Sequence, residues 1–226
     1  ACGLSSWWLW QYFSKSRRSH AWKGQVTYTT PNFNGLQASV GITNPNQLGN
    51  ATAAAIQQDR FGLEAKASYS FAQDNFSGKV WASGASYDVQ ATAAVDYTAS
   101  VGDIGATINA SGFGLTGYYY SGSGVGTTLF GLGGQATTAG SKRDSDGGYV
   151  QLTYVLPEKT KLGVAWGQSN LDKAGDDEDT LVKSNERWTV GAYHPLTKHL
   201  NLVAEYNHIT SENHAGAENK SYTGSL

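Results

Sequence analysis

Two histidines and two glutamates in the last part of the sequence have the side chains best suited to acid–base chemistry. His208 and His214 lie close in sequence to Glu205 and Glu212. Imidazole and carboxyl groups can exchange protons near neutral pH, as a hydrolase requires. A hydrolytic triad also needs a nucleophile within hydrogen-bond reach, and no serine of this chain lies in a recognisable elbow motif. The sequence therefore predicts that the protein is not an enzyme.

A run of acidic residues between Asn170 and Asn185 has the oxygen ligands that hard cations prefer. Its members are Asp172, Asp176, Asp177, Glu178 and Asp179. Such a run could bind calcium, or bridge divalent ions to lipopolysaccharide. It lacks the spaced Asp-x-Asp-x-Asp-Gly pattern of a calcium loop, so we expect a solvated acidic loop and no bound metal or cofactor. The weak metal candidates are Asp172, Asp176, Asp177 and Asp179.

Six charged residues fall on the polar side of segments that alternate between apolar and polar residues. They are Glu64, Lys66, Lys79, Asp103, Arg187 and Glu205. Charged side chains that line a wide, water-filled pore bias permeation by charge. Simple solvation of a wet wall is the alternative role for any one of them. Three are basic and three acidic, so we predict little charge selectivity from this part of the wall.

These charges need β-strands to hold them, because the surrounding residues alternate with a period of two. In the segment 147–167, Val150 and Leu152 share one face while Gln151 and Thr153 share the other. Pro157 cannot donate to a strand ladder, which places it in the turn of an antiparallel hairpin. The segment from Phe61 to Phe71 alternates in the same way. Nothing in these segments has the period of a helix.

Ten such segments can be recognised, and the connections between them alternate in length. The segments are 22–30, 35–43, 61–71, 76–87, 103–110, 113–120, 147–156, 161–167, 187–193 and 200–207. Long connections at 44–59, 88–100, 121–146, 170–185 and 211–220 alternate with short turns, and a terminal stub follows. Outer-membrane barrels have short periplasmic turns and long external loops. The pattern predicts an all-β, antiparallel, transmembrane up-and-down β-barrel, with its apolar face toward lipid and aromatic residues near strand ends.

The composition agrees with this class. Charged residues make up 15% of the chain, against about a quarter in soluble domains. A net charge of −2 gives no basic surface for nucleic acid, so no nucleic-acid partner is expected. No apolar run is long enough for a transmembrane helix. The single cysteine, Cys2, can form no intrachain disulfide.

Residues 1–20 do not share the alternating pattern. They contain an apolar, tryptophan-rich group followed by a basic group, a combination that can anchor a chain at a membrane surface. We favour a ragged N-terminal segment without native structure. The barrel domain is therefore assigned to residues 21–226.

Several phrases of the sequence resemble the C-terminal part of a Gram-negative general porin. They are WKGQVTY (22–28), PNFNGLQASVG (31–41), GFGLTGYYY (112–120), DSDGGYV (144–150) and TKLGV (160–164). The resemblance implies a parent barrel of about sixteen strands, located in the outer membrane among lipid and lipopolysaccharide. It also implies a homotrimer that passes small hydrophilic solutes and ions passively.

Two departures from the porin pattern bear on this expectation. The N-terminal strands and the inward-folded third loop that forms a porin's constriction have no counterpart here. The sequence also stops before the aromatic-ended last strand, so closure of this segment into a barrel by itself is not expected. A second hypothesis is a surface adhesin or receptor whose long loops, above all 121–146, contact a partner.

Overall fold

The computed structural model describes residues 25–43, 60–92, 95–127, 134–137, 139–175 and 177–226. Within these ranges the regular elements are eleven β-strands. They are β1 (Gln25–Thr29), β2 (Leu36–Thr43), β3 (Gly62–Gln73), β4 (Phe76–Thr92), β5 (Val95–Ala110), β6 (Phe113–Ser123), β7 (Asp144–Val155), β8 (Lys161–Leu171), β9 (Val182–Pro195), β10 (Asn201–Asn213) and β11 (Glu218–Ser225). The described residues include no helix with the length and apolar character needed to cross a membrane.

All eleven strands form one sheet in which each strand pairs antiparallel with its neighbour in sequence. Antiparallel neighbours can be joined by very short turns. Between β5 and β6, Ser111 and Gly112 both have positive φ angles, 49° and 85°, which is the two-residue turn whose twist matches that of the strands. The sheet is open, with β1 and β11 at its edges. The predicted all-β, up-and-down architecture is confirmed.

One face of the sheet, which we call the apolar face, exposes large apolar side chains. The register brings them side by side across the strands: Leu152 pairs with Val164, Val164 with Val190, and Val190 with Tyr206. All four are exposed. A continuous apolar surface of this extent is unfavourable in water and suits contact with lipid. The outward-facing apolar stripe expected from the alternation is therefore present in the sheet.

Aromatic side chains border the apolar face at two levels. Near the short turns, the ring centroids of Phe113 and Tyr154 lie 4.4 Å apart. At the other border, those of Trp166 and Trp188 lie 6.2 Å apart. These two tryptophans lie in the middle of β8 and β9 rather than near strand ends, because the strands continue past the apolar band. The aromatic borders match the girdles of a membrane barrel.

Most of the strands extend further into the predicted long loops than the sequence indicates, and two places differ most. The predicted loop 88–100 is largely strand, since β4 continues to Thr92 and β5 begins at Val95. The predicted terminal stub is also part of a strand: β11 (Glu218–Ser225) pairs with residues 205–212 of β10. In both places mostly polar residues form strands because a neighbouring strand supplies hydrogen-bond partners, which local alternation does not reveal.

Some sequence expectations fall outside the described residues. These are the assignment of residues 1–20 as an atypical segment, the loop 44–59, and the metal candidate Asp176.

Candidate pore wall

The opposite face of the sheet, which we call the polar face, carries all six charged residues predicted to line a pore. Register partners place them opposite the apolar stripe in β3, β4, β5, β9 and β10. The residues are Glu64, Lys66, Lys79, Asp103, Arg187 and Glu205. The polar face therefore has the side-chain chemistry of a wet wall. That these residues line a pore remains a prediction.

Three of the six surround one tryptophan. Lys66, Ser83 and Asp103 are successive register partners across β3, β4 and β5, and Ser83 donates a hydrogen bond to the Asp103 carboxylate. The Lys66 Nζ lies 6.0 Å from the ring centroid of Trp81, within range of a cation–π contact. Lys79 precedes Trp81 by two residues and shares its face. This wall segment combines two ammonium groups, one carboxylate and an indole.

Trp81 is only 9% exposed although it lies on an open sheet face. The reason is Gly105, its partner on β5. A Cβ added at Gly105 would lie 2.1 Å from Cζ2 of Trp81, so any larger residue would displace the indole. Glycine in a strand often marks such a close approach. The indole therefore lies against the sheet instead of projecting from it.

Arg187 is held against the wall by neighbouring polar side chains. Its Nη2 donates to Oδ1 of Asn207 at 2.7 Å and its Nε to Oγ1 of Thr189 at 3.1 Å. Thr189 also donates to Asn207 at 2.8 Å. The guanidinium is thus fixed across β9 and β10. Arg187 lies on β9 and the Trp81 cluster on β3 to β5, so the predicted charges lie on separated strands of the sheet.

The two glutamates of the set accept hydrogen bonds from tyrosines. Tyr87 donates to Glu64, and Tyr193 donates to Glu205. Hydrogen bonds to ionised groups are stronger than neutral ones. A tyrosine side chain therefore holds each of these two carboxylates in position on the wall.

The sequence-based set omitted one basic residue. Lys161 lies on the polar face, because it pairs with Val155 and Tyr193 while Leu162 points to the apolar face. The alternation of residues 161–167 already indicates that Lys161 lies on the polar face. Lys161 is, however, the first residue of its strand and lies beside a turn. With Lys161, the described strands carry four basic and three acidic side chains on the polar face.

The acidic loop holds another loop in place. Asp177 accepts from Nε and Nη2 of Arg143, both at 2.6 Å, and from the Ala174 backbone N–H at 2.8 Å. The Arg143 and Asp177 side chains are 12% and 9% exposed. The guanidinium beside Asp177, with the Ala174 N–H, holds the pKa of that carboxyl well below its usual value. The same hydrogen bond raises the pKa of Arg143.

The remaining acidic residues show no metal arrangement. Asp179 pairs with Lys173 at 2.6 Å, which lowers the pKa of the Asp179 carboxyl. The Asp172 backbone N–H donates to the Asp144 carbonyl at 2.9 Å. Among the residues that the structure describes, no three His, Cys, Asp or Glu side chains are placed to bind one ion.

The connection between β6 and β7 folds over the polar face. We call its described residues, 124–127, 134–137 and 139–143, the covering loop. Val125 is 5% exposed and packs with Val89 and Ala99 of the polar face. The Ser145 hydroxyl donates to the Gly126 carbonyl at 2.9 Å, and Arg143 Nη1 to the Ala136 carbonyl at 2.8 Å. Sequence reasoning missed this fold because the contacts join distant strands.

The candidate acid–base residues are not brought together. His208 lies on the apolar face, stacked on Tyr222 with ring centroids 4.7 Å apart, whereas Glu205 lies on the polar face. His214 Nε2 lies 3.0 Å from the Leu171 carbonyl oxygen. Glu212 pairs with Lys183 at 3.1 Å. These four residues therefore form no catalytic constellation.

A meandering antiparallel sheet with a lipid-compatible face and a charged, polar face defines the class of outer-membrane β-barrel proteins. The sequence model of the Gram-negative porin family matches residues 2–214, and this chain belongs to that family. It is accordingly a β-barrel protein of the Gram-negative outer membrane.

Two solved structures share the fold. The outer membrane channel DcaP of Acinetobacter baumannii matches with a TM-score of 0.75 and 17% identity, over 88% of this chain and 59% of that chain. The anion-selective porin from Comamonas acidovorans matches with a TM-score of 0.59 and 13% identity, over 88% of this chain and 54% of that chain. This chain thus spans somewhat more than half the length of either protein. A comparison with curated proteins found no match.

Proposed function

We propose that the protein forms a water-filled channel through the outer membrane for passive diffusion of small hydrophilic solutes and ions, without catalysis. The observation that carries this proposal is the division of polarity between the two faces. Exposed apolar residues continue across the paired strands on one face, and the charged residues of the predicted set all lie on the other. A soluble barrel would place these faces the other way round.

Reconstitution of the full-length protein into a planar bilayer tests the proposal. Stepwise increases in ion current are expected as single channels insert. A matched preparation of the heat-unfolded protein controls for leakage. A silent bilayer, with folded protein present in it, would contradict the channel function.

The covering loop supports a second element of the proposal, a narrowed lumen. Val125 and the Arg143–Asp177 ion pair fix the described part of this loop over the polar face. A loop held there would reduce the cross-section open to solutes. The same contacts argue against its use as a free adhesin loop, since Val125 and Gly126 are held by residues of the strands and Arg143 is held by Asp177.

The charge balance of the polar face supports weak selectivity. Four basic and three acidic side chains leave one net positive charge on this part of the wall. A pore wall with this balance would slightly favour anions. The Comamonas porin, which shares the fold, is described as anion-selective, and we propose a weaker bias in the same direction here.

Lipopolysaccharide is the proposed partner of the surface beyond the aromatic border at Trp166 and Trp188. Past the row of Trp188, His208 and Tyr222, the apolar face becomes charged. Lys220 pairs with Glu218 at 2.8 Å and Lys183 with Glu212 at 3.1 Å, groups suited to phosphorylated headgroups and their divalent ions.

We also propose a homotrimer, as in the general porins. Mass measurement of the detergent-solubilised full-length protein would distinguish a trimer from a monomer.

A further inference from the structure

The polar face carries aromatic side chains where a wet wall would be expected to be polar. They follow one line of register: Trp81 pairs with Gly105, Gly105 with Tyr118, Tyr118 with Tyr149, and Tyr149 with Gly167. Strands β4, β6 and β7 thus place three aromatic residues on one row that crosses β4 to β8. Tyr120 adds a fourth, two residues along β6 and on the same face.

The tyrosines of this row form a connected surface. The ring centroids of Tyr118 and Tyr149 lie 5.5 Å apart, and those of Tyr118 and Tyr120 lie 6.4 Å apart. All three side chains are partly exposed, so they present ring surface to the space in front of the wall. We call these three residues the tyrosine platform.

Glycines and a buried indole shape the edges of the platform. Trp81 leans across Gly105 toward Tyr118, since a Cβ at Gly105 would lie 2.1 Å from the indole. On the other side Gly167 has no side chain, and Arg187 follows it in the row. The platform is therefore bordered on one side by the Trp81 indole. On the other side it is bordered by Gly167, a position without a side chain.

Hydrogen-bonding groups surround the platform on the neighbouring rows. Asp103 pairs with Tyr120 on one side, and Gln151 pairs with Thr116 on the other. Thr116 and Thr107 share a hydrogen bond of 3.0 Å. Ligand sites commonly combine aromatic and apolar surface with a few placed polar groups, and this wall segment has both.

We propose that the tyrosine platform is a binding subsite for hydroxyl-bearing ring solutes of the pyranose class, a proposal that rests on the channel function. A pyranose ring has C–H faces that can lie on a tyrosine ring and a rim of hydroxyls. Those hydroxyls would meet the carboxylate of Asp103 and the amide of Gln151. An aromatic solute would use the rings and leave this polar border unused, so the observations favour the sugar.

Current block in planar bilayers tests the subsite with the full-length protein. Maltotriose should reduce the open-channel current saturably, whereas mannitol, which has hydroxyls but no ring, should not. Tyr118→Leu should raise the half-blocking maltotriose concentration by about three- to ten-fold, the scale of one ring contact. Tyr118→Phe should keep most of the block, because it retains the ring.

Tyr119→Leu is the matched control. Tyr119 is the next residue of β6, lies on the apolar face and is 51% exposed there, so its loss should leave the block unchanged. Normal open-channel conductance in each variant shows that the barrel has assembled.

Three outcomes would overturn the subsite. They are an open channel that maltotriose does not block, equal block by mannitol, or stronger block by benzyl alcohol than by maltotriose. In each of these the channel function stands. A bilayer without any conductance would instead contradict the channel and the subsite together.

Discussion

The apolar and polar faces of one strand differ by a shift of a single residue. Tyr118 and Tyr119 are neighbours in β6, yet Tyr118 packs against Tyr149 on the polar face and Tyr119 is exposed on the apolar face. Arg187 and Trp188 divide in the same way in β9. Because side chains alternate strictly along a strand, a slip of one residue would exchange the two faces completely. Residue type therefore says less about role here than the parity of its position.

Placing a charge on each face in turn should give the largest difference in stability between the two faces. Val164→Arg places a guanidinium in the middle of the apolar band and should destabilise the folded barrel by about 2–4 kcal/mol. Ala165→Arg changes the next residue, on the polar face, where water can solvate the charge. Urea unfolding of the full-length protein in phospholipid vesicles measures both. Equal losses of stability would mean that the two faces do not meet different solvents.

Most of the difference between the two faces can be predicted from the alternation of apolar and polar residues in the sequence. The strand 61–71 and the hairpin 147–167 were assigned correctly to two faces, because each contact that defines a face repeats every second residue. The extension of β4 and β5 was missed. Val89 and Ala99 pack against Val125 of the covering loop. A contact between residues so far apart in sequence cannot be predicted from local alternation.

The ion pair between the loops was missed for the same reason. Arg143 and Asp177 are 34 residues apart, and the acidic run around Asp177 looked like a solvated loop. Local spacing can suggest a metal loop or a charged surface, but the partner of one buried carboxylate depends on tertiary structure. The placement of the six charged residues on one face could be predicted because it depends only on parity, whereas their role in lining a pore stays a prediction.

Release of the covering loop should have the next largest effect. Arg143→Gln removes the bidentate partner of Asp177 and leaves a mostly buried carboxylate, whose remaining hydrogen bond among the described residues is the one from the Ala174 N–H. We expect frequent current fluctuations in single-channel recordings, as the loop leaves the polar face. Asp177→Asn should act similarly, and the double variant should be little worse than either single one.

Lys173→Gln provides the control within the same loop. It removes the Lys173–Asp179 pair, whose side chains are 34% and 68% exposed, and exposed pairs contribute little. Fluctuations in Lys173→Gln as strong as those in Arg143→Gln would show that burial of the pair is not what fixes the loop.

Charge reversal on the polar face should have a smaller effect. Lys79→Glu turns the balance of the described wall toward negative charge, so the reversal potential in a salt gradient should move toward cation preference. Lys220→Glu, on the charged border of the apolar face, should leave the reversal potential almost unchanged. An equal shift in both variants would remove Lys79 from the pore wall.

The smallest expected effect is that of pH on the covering loop. The pKa of Asp177 is depressed in the folded protein by Arg143, so the unfolded or released chain binds the proton more readily. The stabilisation is therefore complete above pH about 4, the ordinary carboxyl value, and is lost only as the pH falls through the depressed pKa. Single-channel fluctuations should stay constant from pH 8 to about 4 and rise only well below that. A rise between pH 7 and 5 would show that another group holds the loop, and Arg143→Gln, which fluctuates at every pH, supplies the reference for full release.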